Sequence, residues 1–384
     1  MFCGANLINI YLLTLFMLKL KKILALSLIP QYLLIHFISF YPSFIESVYS
    51  NHIYIYISSF FRSISSNIPY AIGDVLYIIV GVFSIYWLVI NIKKPKRLLI
   101  ELFACISIAY FFFNLSWGLN YYRIPINNQI ENTKYSYEDL NKFSLELIKK
   151  INQLHFQLTY NDSIKVILPY NFKENARISI SNYNNLEKKH NSQYYGYKFI
   201  DRSIKSVSDF NKKENKNNIK ESILSYPLTY MGFSGYLNPF THEYNINSLI
   251  PDNSKPMVIS HEIAHEIGFS SEMEANFISY ISLINSENIY YQYFGHSFAL
   301  RQCLNELRKF NKENYNLHMS KINKGILENY KETFEFWNNY NNPFEPIIKN
   351  IYDKFLKANK VKSGIKSYNQ SLSLILKYNK SYND

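Results

Sequence analysis

The chain is poor in cysteine, with three in 384 residues. Cys3 is at the N-terminus and Cys105 lies in an apolar run. Only Cys303 belongs to the polar part, so no disulfide can form within that part. Charge is scarce as well: 18% of residues are Asp, Glu, Lys or Arg, against 48% hydrophobic and 17% aromatic. A wholly soluble protein would not have this balance. No Gly-rich phosphate loop is present, which argues against the common nucleotide-binding motifs. No basic–aromatic RNA motif accompanies the net charge of +12. The abundant Asn and Lys are read as a mark of AT-rich coding, and nucleic acid is not an expected partner.

The apolar residues are concentrated in three runs, 23–40, 75–92 and 98–115, the last interrupted only by Glu101. Each approaches the roughly 20 residues that cross a bilayer. Lys19, Lys21 and Lys22 precede the first run. Lys93, Lys94, Lys96 and Arg97 separate the second from the third, and Arg62 alone lies between the first and second. By the positive-inside rule both clusters are cytoplasmic, and everything after about Trp117 is extracytoplasmic. Residues 1–18 are an uncertain segment, apolar from 5 to 18 with positive charge on the wrong side for a signal peptide. Met17 followed by the Lys cluster suits the start of a signal-anchor, and translation is expected to begin there. The Tyr-, Ser-, Phe- and Ile-rich stretch 41–70 is expected to lie along the outer face of the membrane.

The polar part carries HEIAH at 261–265. Histidines four apart share one face of a helix, so His261 and His265 can bind one zinc ion. Glu262 is placed beside them as the general base. Pro256 suits a helix start and Gly268 a left-handed stop. The stop is required, because a straight helix would carry later residues away from the ion. A second helix folding back from Ser271 can then return a carboxylate. Glu274 is the expected third ligand, with Glu272 as its rival and His242 and His296 as more distant ones. The same Ser271–Glu274 spacing is also that of a capping box. Ser271 stands where a metzincin-type HExxHxxGxxH motif would have its third histidine, so that pattern is broken here.

The rest reads as α+β. A helix is expected over 138–154, a strand over 163–170, a polar tract over 172–220, and extended segments over 223–229 and 236–247. Helices follow from Pro256 onward, including 290–310, 326–340 and 346–356. Residues 235–247 are the candidate edge strand for pairing with a peptide substrate. Asn276 is a candidate to orient a ligand, and Tyr291 and His296 are possible oxyanion partners.

WGLNYYR at 117–123, SGYLNPFTHEYNIN at 234–247 and HEIAHEIGFSSEMEANF at 261–277 together resemble a bacterial membrane-protein family catalogued as a domain of unknown function. That family has several N-terminal spans and a zincin-like HExxH…EAN signature. The resemblance implies a bundle of three membrane helices over 1–117, followed over 118–384 by a mostly helical, zincin-like metallopeptidase domain with a small sheet. It matches His261, His265 and Glu274 to the Zn2+ ligands and Glu262 to the catalytic base. The family commonly has Gln-Arg or a similar pair where this chain has Glu266-Ile267, two positions that read as peripheral to the metal. The implied setting is the bacterial inner membrane, with the C-terminal domain periplasmic and a peptide or protein of the cell envelope as substrate. The competing expectation is a non-catalytic envelope protein with a structural or relic zinc site. A transporter is a poor third, since the spans have neither repeats nor paired intramembrane charges.

Overall fold

The computed structural model describes residues 2–126, 135–190, 218–361, 364 and 371–383. Among the described residues, three helices are long and apolar enough to cross a membrane: residues Leu15–Ile38 of α1 (Phe2–Ile38), then α3 (Ile72–Asn91) and α4 (Pro95–Ser116). α1 packs along α4 through a polar seam in which Gln31 Nε2 and Ser27 Oγ meet Ser107 Oγ at 3.0 and 2.9 Å. Such contacts hold helices together where lipid offers no hydrophobic drive. Glu101, the charge inside α4, is matched by Lys21 and Arg97 and accepts a hydrogen bond from Trp87 Nε1. The paired charge that α4 needs is therefore present.

Between α1 and α3 the chain forms a π-helical turn at Ile45–Ile53 that runs into α2 (Tyr54–Ser65). α2 turns its polar residues Ser58, Arg62 and Ser65 inward and leaves Tyr56, Phe60 and Ile64 exposed. An exposed apolar face suits the expected position along a membrane surface, and the buried polar face grips the domain that follows.

That domain is mostly helical. It comprises α5 (Tyr137–Thr159), α6 (Phe172–His190), β1 (Ile219–Glu221), α7 (Ser225–Met231), β2 (Gly235–Leu237) and β3 (Tyr244–Ile246). Next come α8 (Lys255–Glu266), α9 (Glu272–Ile284), α10 (Ile289–Phe310), α11 (Lys312–Met319), α12 (Lys324–Asn339), α13 (Glu345–Ala358) and α14 (Ser371–Asn383). The sheet order is β1-β3-β2, with β1 parallel and β2 antiparallel to β3. Among the described residues β2 is therefore an edge. One core joins α5, α8, α9, α10 and α14 through side chains such as Leu140, Ile259, Phe277, Leu300 and Ile375.

The structure corrects several local expectations. Residues 163–170 form no strand, because the Val166 N–H and C=O bond to the Asn329 side-chain amide in place of a neighbouring strand. Residues 223–229 are mostly helical, starting α7 where Ser225 Oγ bonds the Ser222 carbonyl. The polar stretch from 172 contains α6, whose apolar positions Ala176, Tyr183 and Leu186 are buried at helical spacing. Of the dense Asn-Lys run at 211–220, residues 211–217 lie outside the described residues, and Ile219 and Lys220 belong to β1.

Candidate metal centre

α8 begins with Pro256 in its first turn and ends at Glu266, two residues before Gly268, whose φ of 95° allows the chain to reverse. Left-handed backbone favours glycine. A Cβ at Gly268 would also lie 2.9 Å from Arg123 Nη1. α9 then folds back against α8.

The reversal brings Glu272 to the histidine pair. Glu272 Oε2 lies 3.0 Å from His261 Nε2 and 3.5 Å from His265 Nε2. These three residues can offer ligand atoms that all lie within 4.8 Å of one another. Glu274 does not join them. Two residues further along α9 it is turned about 200° round the helix axis, onto the far side. There its Oε1 accepts the Ile126 N–H at 2.7 Å. Burial raises the Glu274 carboxyl to about 7, against the pull of Ile126 and Arg123. The capping box does not form either, since the Ser271 side chain makes no cap bond.

The outer nitrogens of the histidines are fixed. His265 Nδ1 lies 2.7 Å from the Phe269 carbonyl, which can only accept, so this nitrogen carries the proton. His261 Nδ1 lies 2.9 Å from Asn276 Oδ1. Both Nε2 atoms are thereby turned toward the Glu272 oxygen. Burial works against a charge on His265, but Glu272 and then Glu262 overcome it and raise its pKa to about 9. Burial likewise works against a charged Glu272, but His265 and His261 hold it well below the usual carboxylate range. A cation is the other way to balance such a cluster. Glu272 Oε1 accepts from Tyr352 Oη on α13 at 2.7 Å. No spacing rule singles out Tyr352 among 35 tyrosines.

Glu262 shares a cleft of about 510 Å3 with His261. Burial raises its pKa. The two histidines and the Leu237 N–H oppose the rise, while Glu272 adds to it. Its Oε2 has no hydrogen-bond partner among the described residues. β2 forms the adjacent wall. Asn238 N–H and Ser234 C=O bond back toward the β3 strand and its continuation. By antiparallel alternation the outward backbone groups therefore belong to Gly235 and Leu237. A Cβ at Gly235 would lie 3.0 Å from both Glu262 Oε1 and the Asn245 carbonyl. Only glycine lets strand and carboxylate approach so closely.

The C-terminal end of α8 is held from the membrane side. Tyr54 Oη donates to the Glu266 carbonyl at 2.7 Å, Trp117 Nε1 to the His265 carbonyl at 3.2 Å, and Arg123 Nη1 to the Gly268 carbonyl at 3.0 Å. They lie at a helix end, where carbonyls lack i+4 partners; the His265 carbonyl also accepts the Gly268 N–H at 2.9 Å. Arg123 is itself gripped by Glu46 through two bonds of 2.6 and 2.8 Å. The Glu266 side chain pairs with Arg62 at 3.2 Å and with His242 Nδ1 at 3.0 Å, all buried. The Glu266 side chain thus points away from the histidine–carboxylate cluster and is central to the attachment of α8. His242 is committed to that pair and stacks on Phe61, away from the cluster. His296 packs edge-on against Tyr280, and Tyr291 Oη bonds Asn175. Neither lines the cleft.

A helical domain docked on three apolar helices, with two histidines and a carboxylate converging beside a cleft, defines the class of the molecule. The family described as "Protein of unknown function (DUF3810)" matches residues 49–376, and the chain belongs to it. The match contains every residue of the cluster and all of its attachment except Glu46. No curated protein and no solved structure matches the chain.

Proposed function

We propose that the protein is a membrane-anchored, zinc-dependent hydrolase of peptide or amide bonds. His261, His265 and Glu272 would hold the ion, and Glu262 would act as the base. The observation that carries this reading is the convergence of two tautomer-fixed Nε2 atoms on a single carboxylate oxygen. Ligands at about 2.0–2.1 Å from a tetrahedral zinc lie roughly 3.3–3.4 Å apart. The observed 3.0 and 3.5 Å separations suit that geometry.

When bound, zinc supplies Lewis acidity and lowers the pKa of water. The remaining work belongs to the chain. Glu262, desolvated and with one oxygen unpartnered, accepts the proton of the attacking water and passes it to the leaving amine. The outward backbone groups of Gly235 can pair with an extended substrate, laying its carbonyl along the cleft. Tyr352 and Asn276 hold Glu272 and His261 in orientation.

A structural zinc would call for a fourth protein ligand. His242 is committed to Glu266, and Glu272 already serves as the third. The Lys and Arg clusters flanking the apolar helices support an inner-membrane setting with the domain on the extracytoplasmic side.

The test is the metal content and peptidase activity of the full chain in detergent. One zinc per chain is expected in the wild type, in Glu262→Gln and in folded Glu274→Ala, with loss in Glu272→Ala. Hydrolysis should vanish in Glu262→Gln. A wild-type chain that takes up no zinc would overturn the proposal, and unchanged hydrolysis in Glu262→Gln would remove the base from it.

A further inference from the structure

One face of α10 forms a wall of the cleft, with Phe294, Ser297, Phe298, Arg301, Gln302 and Asn305 spaced at helical intervals. Arg301 is the residue of that face the hydrolytic chemistry leaves unused. It is exposed, but what it is exposed to is the cleft. The surrounding protein still strips enough water to lower its pKa, against the counter-pull of Tyr330. Among the described residues it has no ion pair and no hydrogen bond, although a guanidinium carries five donors.

The rest of the wall sharpens the point. Glu262 is the sole acid lining the cleft among the described residues, and it belongs to the candidate chemistry. Lys349, the other long cation, is paired with Glu345 one turn earlier on α13. Phe233, Phe298, Tyr330 and Trp337 supply an apolar, aromatic remainder. A partly desolvated cation among such side chains is costly until an anion meets it.

We infer that Arg301 is the receptor for a carboxylate of the substrate, held in the same cleft as the scissile bond. The substrate class is then a peptide or N-acyl amino acid with an apolar side chain and a free acid group. A single planar fork matches one carboxylate in a bidentate manner. A phosphate dianion would call for a second free cation, and Lys349 is engaged. The word substrate rests on the hydrolase reading, whereas the anion site stands on the cleft itself.

The test is calorimetric titration of the full chain in detergent, in the Glu262→Gln background so that nothing turns over. The probes are N-acetyl-Phe-Leu with a free carboxylate, its C-terminal amide, and N-acetyl-Phe-Glu amide. The free acid is expected to bind about tenfold or more tighter than its amide, the usual scale for a charged hydrogen bond. Arg301→Gln should reduce that ratio to about twofold or less, leaving amide binding and metal content unchanged. Arg301→Lys, which keeps the charge and loses the fork, should be intermediate and carries the test should the Gln variant not fold. Tighter binding of the Glu amide than of the free acid would assign the carboxylate to a side chain of the substrate. A preference surviving in Arg301→Gln would put the carboxylate on the histidine cluster and overturn the inference, as would no preference or no binding of any probe. If the chain holds no zinc but keeps an Arg301-dependent preference, the hydrolase reading falls and the anion site stands.

Discussion

At the scale of single residues, a difference of two positions separates a candidate ligand from a structural group. Glu272 and Glu274 were both legible in the sequence as carboxylates that a reversed helix could return. Which one arrives depends on the rotation at which α9 starts, and that is set by the turn at Gly268–Ser271 rather than by any local motif. The histidines and Glu262 were readable because four-residue spacing fixes a helix face by itself. Tyr352 and Arg301 were not, since they come from distant helices and have no spacing rule. His296 illustrates a buried group with a pH consequence. Burial, reinforced by Lys150, lowers its pKa to about 4 from the ordinary 6.5. The folded state therefore resists a proton that the unfolded chain accepts. Stability is intact above about pH 6.5 and is lost progressively as the pH falls toward 4. The loss is on the order of 1–3 kcal/mol. Thermal unfolding at pH 7.5 and 4.5 should show His296→Gln losing less on acidification than the wild type. An equal loss in both would remove His296 as the cause.

At the scale of elements, the long periodic helices announced themselves and the short pieces did not. α5, α10 and α12 follow their apolar periodicity closely, as do the three apolar helices. The segment at 163–170 alternates like a strand but pairs with Asn329, a partner that no local pattern reveals. β2 was readable as an extended edge because turn residues flank it. Its closeness to Glu262 depends on position 235 having no side chain. Gly235→Ala should accordingly push β2 or Glu262 aside. We expect hydrolysis to fall at least tenfold, the scale of a misplaced reacting group, with zinc content unchanged. Full activity with normal metal content would show that the close approach has no role in turnover.

At the scale of the whole molecule, the division at residue 117 read from composition does not describe how the parts hold together. The apolar third and the helical domain share buried bonds: Glu46 with Arg123, Arg62 with Glu266, and Glu243 with the N–H groups of Ile72 and Gly73 at the start of α3. Composition marks where lipid-like residues stop, but it cannot show that polar residues on either side pair. A chain of 118–384 alone would lose Glu46, Tyr54, Arg62 and Trp117. Each carbonyl or N–H left buried without its partner costs about 1–3 kcal/mol, and each broken buried ion pair roughly 3–5. Several such losses approach the total stability of a domain, about 5–15 kcal/mol. Limited proteolysis should therefore digest 118–384 under conditions that the full chain in detergent survives. Equal resistance would show the domain to be self-sufficient.

Trp117 follows directly on α4, and its indole meets His265 edge-on with ring centres 6.1 Å apart. With α4 in a bilayer, the histidine cluster is fixed at one height, a single side chain above the end of that helix. No linker lets it rise. A chain floating free in solution must come down to the lipid surface to be reached, whereas one already tethered there meets the cleft by diffusing in two dimensions.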